Sequence, residues 1–357
     1  MKKNKKFLED YLNAFAPVGQ ETEGQNIWKE YVGQYADDLY TDAYGTVVAT
    51  KYSSETNVAL SQDVVIEAHC DEIAWIITNI ESDGMIRVKR HGGSDNMIAP
   101  SKTVMIHTHN GKKVRGVFGW PAIHTRKAYV EKGYEQEELW VDTGLKDLKA
   151  VNKAGVEVGN LITFDDQFHE MGDFYVGRSL DNKIGGYIIA EALRKITEDG
   201  IKLPFNLHVV NSVQEEVGLH GAKRIAKYLE ADLALVHDVC HATDTPKINK
   251  AKDGDNKAGD GPCIEYTAQN HRGINKMLRK VADKNKLPLQ LTVGSYGNDT
   301  MAFFMENTPT AILATPLRYM HTTVECAHKK DVKTAIKLFV EFLKELTPGK
   351  INKFNNR

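Results

Sequence analysis

The chain has 357 residues and a formal net charge of −2, from 46 Lys and Arg against 48 Asp and Glu. That length suits two ordinary domains, or one large domain carrying an insertion, and it buries an adequate core without disulfide staples. The near-neutral charge argues against a nucleic-acid surface, 26% charged and 8% aromatic residues describe a globular chain, and no apolar run has the length of a membrane span.

The basic start, Met1 to Lys6, runs into Glu9 and Asp10 and not into an apolar signal core, so the cytoplasm is the expected location. Residues 7–16 are amphipathic and end at Pro17. Thr22-x-x-Gln25 resembles a capping box opening a second helix through Trp28 and Tyr31. A hairpin around Gly45 is expected over 39–51, then a buried strand at Val64-Val65-Ile66. Between about 72 and 170 the chain turns β-rich, with strands expected at 73–80, 85–89, 104–107 and 113–118 and a hairpin turn at Asn110-Gly111. No long amphipathic helix appears before about residue 145.

Beyond 172 helix and strand alternate. Helices are expected over 182–198, 221–229, 273–285 and 332–346, and strands over 205–213, 233–236 and 310–313. Such alternation argues for an α/β sheet with helices on its faces. The economical division is one α/β domain, 1–71 and 171–357, interrupted by a β-rich insertion at 72–170. Residues 250–261 form a polar Gly/Asp/Lys loop. Cys70, Cys240, Cys263 and Cys326 are scattered without a Cys-x-x-Cys pair, which argues against a disulfide framework or a zinc ribbon.

Five places set metal-ligating residue types just after expected strands or before a helix, where open α/β sheets bind ligands. In Ala68-His69-Cys70-Asp71-Glu72, residues two apart share a side, so His69 can bind a metal while Asp71 orients it. A hydrogen-bonded structural pair is the bland alternative. Asp181, in Arg178-Ser179-Leu180-Asp181-Asn182-Lys183, can cap a helix or bridge two cations through its two oxygens. Glu215 and Glu216 are adjacent carboxylates that repel unless cations are near. They are either a solvated charged turn or a ligand beside a general base. Asp238, in His237-Asp238-Val239, and His321, before Thr322-Thr323-Val324-Glu325, complete an N/O set suited to zinc, cobalt or manganese.

Taken together, Ala-His-Cys-Asp-Glu-Ile at 68–73, Leu-Asp-Asn-Lys at 180–183, Gln-Glu-Glu-Val-Gly-Leu at 214–219 and Arg-Tyr-Met-His-Thr-Thr-Val-Glu at 318–325 resemble the M42 metallo-aminopeptidases, the glutamyl or tetrahedral aminopeptidase family. The segments from His91-Gly92-Gly93 through Gly119 and His124, and from Trp140-Val141-Asp142 through Gly159, resemble that family's inserted β domain. The resemblance covers nearly the whole chain. It implies a zinc-peptidase-like mixed sheet flanked by helices, with an inserted small PDZ-like β-barrel for oligomer contacts. It further implies two divalent metals per chain, zinc first and cobalt or manganese as substitutes. Asp181 matches the bridging carboxylate, His69 and Asp238 the other ligands of one metal, and Glu216 and His321 those of the second. Glu215 matches the general base, Asp71 the residue orienting the histidine, and Asp181–Asn182 a cis peptide.

The implied reaction removes N-terminal residues from short peptides, in a homo-oligomer built from dimers up to a tetrahedral dodecamer, with neither nucleic acid nor membrane as partner. Ala74, Asn182-Lys183, Thr322-Thr323 and Gly297-Asn298-Asp299-Thr300 depart from the family's commoner Gly, Asp-Arg, Ser-Pro and Gly-Thr-Asp-Ala. Cys70 and Cys240 read as small buried residues rather than ligands. The alternatives are a deacylase or carboxypeptidase of the same clan, a carbohydrate hydrolase of the endoglucanase kind, and a non-catalytic metal-binding assembly protein.

Overall fold

The computed structural model describes residues 3–55, 61–122, 124–125, 135–294 and 297–355. Part of the expected insertion, 123 and 126–134, lies outside them. In chain order the elements are α1 (Lys3–Asn13), α2 (Thr22–Val32), β1 (Asp38–Thr41), β2 (Val47–Lys51), β3 (Asp63–His69), β4 (Ala74–Ile80), β5 (Ile86–His91), β6 (Thr103–His107), β7 (Lys113–Phe118), β8 (Trp140–Asp142), α3 (Leu148–Lys153) and β9 (Leu161–Phe164). They continue with β10 (His169–Met171), β11 (Phe174–Gly177), α4 (Leu180–Glu198), β12 (Asn206–Ser212), α5 (His220–Leu229), β13 (Leu233–His241), α6 (Lys250–Asp253) and β14 (Cys263–Glu265). The last are α7 (Arg272–Lys284), β15 (Gln290–Thr292), α8 (Thr300–Met305), β16 (Thr310–Arg318), β17 (Glu325–His328), α9 (Lys329–Glu345) and α10 (Pro348–Asn355).

Among the described residues, one 11-stranded sheet has the order β1-β2-β12-β3-β13-β16-β17-β11-β10, with β14 pairing β16 and β15 pairing β14. The middle of it, β12-β3-β13-β16, is parallel, and its flanks are antiparallel. Side chains alternate across each strand, which sorts the helices into two layers. Val64, Ile66 and Ala68 join a core shared with α1, α2, α4, α7 and α9. Val65 points the other way, into a smaller core with α5 and α8. Because the middle strands run one way, their C-terminal ends gather on one edge.

Between β3 and β10 the chain closes a separate barrel, β4-β5-β8-β7-β6-β9. It has its own apolar interior, including Trp75, Ile77, Val104, Phe118 and Ile162. The expected turn at Asn110-Gly111 sits in a longer loop than a two-residue hairpin, since the last β6–β7 pair is His107 with Lys113. Asn110 Oδ1 accepts from Thr108 Oγ1 at 2.7 Å and from the Lys112 N–H at 3.2 Å, and Gly111 takes φ +78°, a conformation that favours glycine.

Local differences from the sequence reading have tertiary causes. Helix α1 stops at Asn13 because the next carbonyls and amides serve a buried charge cluster: Arg178 donates to the Asn13 and Ala14 carbonyls, and Ala16 N–H donates to Glu72 Oε1. The capping box at Thr22 is not formed, since Glu21 is the N-cap and no side chain caps the helix. Gln25 instead bonds Asn211, donating to its carbonyl at 2.7 Å and accepting from its Nδ2 at 2.9 Å. Strands β13 and β16 run on to His241 and Arg318, well past their apolar runs, because each residue from Ala234 to His241 is paired in register with β16. The polar loop 250–261 contains one helical turn, α6. Among the described residues no helix is long and apolar enough to cross a membrane.

Candidate metal centre

Four adjacent parallel strands supply the site. His69 is the last residue of β3, Glu215 and Glu216 follow β12, Asp238 lies on β13 and His321 follows β16. Asp181 enters from the start of α4. It does not cap that helix: Ser179 is the N-cap position, Asp181 and Asn182 lie outside helical φ/ψ, and the peptide between them is cis. The Asp181 carboxylate instead faces both histidines. Its Oδ1 is 3.3 Å from His69 Nε2, and its Oδ2 is 3.3 Å from His321 Nε2. His69 Nε2 is also 3.7 Å from Asp238 Oδ1, and His321 Nε2 is 3.4 Å from Glu216 Oε1.

His69, Asp181 and Asp238 thus bring their ligand atoms within 4.8 Å of one another, and so do Asp181, Glu216 and His321. Asp181 belongs to both groups. In each histidine Nδ1 faces a backbone carbonyl, which can only accept, so Nδ1 carries the proton and Nε2 is left for a cation. For His69 that carbonyl is Asp71's, at 3.2 Å; for His321 it is Gly93's, at 3.2 Å, on the segment between β5 and β6. A Cβ on Gly93 would come within 2.5 Å of the His321 ring, so this close approach needs glycine. The residues fit two divalent cations sharing one carboxylate, by donor type and by orientation.

Electrostatics point the same way. Burial works against a charged His69, yet its contacts with Asp181, Asp238 and Asp71 outweigh burial and raise its pKa well above the usual value. Asp181 and Glu216 likewise push His321 up to about 12 against the effect of burial. Burial raises Glu215 to about 10, with Asp299, Asp238 and Glu216 adding to the rise and His69 opposing it. Glu216 and Asp238 are also raised, mainly by burial. Asp181 alone is lowered, because contact with both histidines overcomes its burial. The cluster carries more carboxylates than its two imidazoles balance, and a bound cation would relieve that excess.

Asp71 does more than the sequence suggested. Its Oδ1 stands 3.6 Å from His69 Nδ1, and its two oxygens accept from the N–H groups of Glu215 and Glu216, each at 3.0 Å. One buried carboxylate therefore fixes the turn that carries both glutamates. Gln214 and Leu219 bracket that turn in left-handed backbone, as does His321 at φ 60° on its own loop.

Glu325 was present in the fifth motif, but no role was readable from it. Its Oε2 accepts from the Asp181 N–H at 3.1 Å and its Oε1 from the His321 N–H at 2.7 Å, so it ties two candidate ligands together. His237, beside Asp238, is scaffold: its ring lies 3.3 Å from Asn182 Oδ1 and 2.9 Å from Thr315 Oγ1, and burial lowers its pKa to about 3. The unusual residues have partners too. Asn182 donates to the His237 carbonyl at 2.8 Å, Lys183 pairs with Glu72 at 3.2 Å, and Thr323 Oγ1 accepts from Lys102 of the barrel at 2.6 Å. The four cysteines are free and buried.

The groups line a cleft of about 540 Å³ with Gly218, Leu219, His241, Gly297 and Met320 on its walls. That is room for an amino-acid residue and the start of a peptide.

Residues 45–338 match the family M42 glutamyl aminopeptidase. The chain is 31% identical to FrvX of Escherichia coli strain K12 over 363 residues, covering 99% of this chain and 98% of that protein. Its fold matches the TET aminopeptidase of a marine sediment Thaumarchaeota archaeon with a TM-score of 0.92 and 28% identity, over 99% of both chains. It matches the TET1 peptidase of Pyrococcus horikoshii, which can assemble into a tetrahedron or a large octahedral shell, with a TM-score of 0.85 and 25% identity over 96% of this chain and 100% of that one.

Proposed function

The chain belongs to the M42 glutamyl aminopeptidase family, and we propose that it is a two-metal aminopeptidase removing N-terminal residues from short peptides. The observation that carries this reading is the shared carboxylate: Asp181 sits 3.3 Å from the Nε2 atoms of both His69 and His321. In this reading His69, Asp181 and Asp238 hold one cation, and Asp181, Glu216 and His321 hold the other. Zinc suits the donors first, with cobalt or manganese as substitutes. Bound there, the cations supply Lewis acidity toward the scissile carbonyl and toward water.

Glu215 takes the proton from the attacking water and delivers it to the leaving amine. Its burial in the cleft wall suits a carboxyl that must hold and then release a proton. Asp71 is a positioning residue, because it grips the backbone on both sides of the Glu215–Glu216 peptide link. The turn therefore presents adjacent side chains, one as ligand and one as base.

The division into a catalytic unit of 1–71 and 171–357 and an inserted unit of 72–170 belongs to the same proposal. The separate apolar interior of the barrel supports it. Among the described residues the barrel side reaches the candidate ligands through the Gly93 carbonyl at His321, and a unit that supplies no ligand side chain of its own fits a role in contacts between subunits of a homo-oligomer.

The test is release of free amino acids from tri- and tetrapeptides. Activity is expected to vanish when the peptide's α-amine is acetylated and when metal is chelated, and to return with zinc or cobalt. Unchanged cleavage of acetylated peptides would favour a deacylase or carboxypeptidase reading. Full turnover in a metal-free preparation would defeat the metal reading.

A further inference from the structure

A second cavity, of about 530 Å³, opens beside the metal cleft, and His241 lines both. Its position follows from strand register. Asp238 on β13 lies opposite Ala314 on β16, and Ala314 lies opposite Cys263 on β14. Glu265 is two residues further along β14 and shares the face of Cys263. Two strand spacings, about 10 Å, therefore separate the strand of the metal ligand from that of Glu265. Cys240, Cys263 and Ala314 pack together at that level of the sheet.

Glu265 is 2% exposed yet lines this cavity. Among the described residues its Oε2 has no hydrogen-bond partner. Burial, helped by the charge of Asp238, raises its pKa to about 8. Gly294 backs it so closely that a Cβ there would come within 2.5 Å of Oε2. Tyr266, Leu291 and Val293 give the cavity apolar wall. Lys250 and Lys252 stand on its exposed side, and Lys250 is engaged with Asp255 at 2.6 Å.

A buried carboxyl without a donor is costly, and it is relieved by a ligand that brings one. We infer, on the aminopeptidase reading above, that Glu265 is the specificity residue of this enzyme and selects peptides whose N-terminal residue is lysine or arginine. The aliphatic stem lies along Tyr266, Leu291 and Val293, and the cationic head meets the Glu265 carboxylate. The cationic head draws the buried carboxyl into its ionised form, whereas an acidic side chain brings no such countercharge and an aliphatic one leaves the carboxyl unpaired.

The experiment compares kcat/KM for Lys-, Arg-, Leu- and Glu-p-nitroanilide in the wild type, Glu265→Gln and Glu265→Asp. It adds calorimetric binding of free L-lysine and of L-norleucine, which keeps the stem and lacks the ammonium. Wild type is expected to prefer the Lys and Arg substrates by about tenfold or more, and Glu265→Gln to lose about 10- to 100-fold on these while Leu changes by less than about threefold. Glu265→Asp should retain part of the preference. A wild-type preference for Leu or Glu, or an equal loss on all substrates in Glu265→Gln, overturns the assignment. If no aminoacyl substrate is cleaved, the aminopeptidase reading fails and calorimetry decides the pocket. Tighter binding of lysine than norleucine, abolished in Glu265→Gln, sustains it, and equal binding overturns it.

Discussion

Two buried charge clusters lie side by side in this protein, and they are built on opposite principles. Around Glu72 one carboxylate meets two cations: Arg178 Nη1 pairs with Oε2, and Lys183 Nζ lies 3.2 Å from Oε1. All three residues are at most 3% exposed. Around Asp181 the excess is of carboxylates, and the protein's own countercharges there are two imidazoles. Burial opposes ionisation in both places, but Arg178 and Lys183 hold the Glu72 pKa down near 2, whereas Glu215 and Glu216 are driven up. A cluster whose carboxylate is held ionised by the protein's own cations is scaffold. A cluster whose carboxylates lack such cations leaves its balance open and is a place for something to bind.

The largest effect is expected where that open balance meets chemistry. Glu215→Gln removes the proposed base and leaves every proposed ligand. Turnover should fall by about 10²- to 10⁴-fold, while metal content, measured by mass spectrometry, stays near two per chain. Loss of metal along with activity would reassign Glu215 to the ligand set.

The Glu72 cluster should answer in stability and not in turnover. Glu72→Gln leaves Arg178 and Lys183 buried without their anion, and breaking such a pair costs about 3–5 kcal/mol. The pH dependence has a definite sign. Glu72 has its folded pKa near 2 and an ordinary value of 4.5, so the unfolded chain binds the proton more tightly. The stabilisation is complete above about pH 4.5 and is lost as pH falls toward 2. Denaturant midpoints across that range should show an acid-side decline in wild type that is smaller in Glu72→Gln. Activity per folded molecule at neutral pH should change little. An identical acid limb in both proteins would mean that Glu72 is not held ionised by its partners.

Much of this contrast was legible in the sequence, but not all of it. Ligand candidates stood out because each follows an apolar strand or opens a helix, and because adjacent carboxylates such as Glu215 and Glu216 are unfavourable without a purpose. The alternating barrel strands were readable by the same periodicity. Strand ends were not: polar residues from His237 to His241 interrupt the apolar run although the ladder continues. Helix α1 also ended early, because Arg178, far along the chain, claims the carbonyls that would have continued it. The cluster around Glu72 was invisible for the same reason, since its three charges lie at 72, 178 and 183. Glu265 shares that limit. Nothing around it in sequence distinguishes it from a strand-end glutamate, and only the register of β14 against β16 brings it beside the cleft.

Glu325 tests the comparison most finely, because it combines features of both clusters. It is 2% exposed, like Glu72, and its carboxylate is fully engaged. Its partners, however, are the backbone N–H groups of Asp181 and His321, and burial with the nearby Asp181 raises its pKa well above the usual value. If it serves the metals by fixing two ligands, Glu325→Gln should weaken metal retention by about 10- to 100-fold, as removal of a ligand's supporting partner does. Competition with a chromophoric chelator measures this directly. Saturating zinc should then return most of the activity, since no ligand and no base has been lost. If Glu325 is scaffold of the Glu72 kind, the same substitution should lower the melting temperature equally with and without metal and leave chelator competition unchanged. The two outcomes separate a residue that shapes the open cluster from one that merely closes a charge, which the buried position of Glu325 alone does not do.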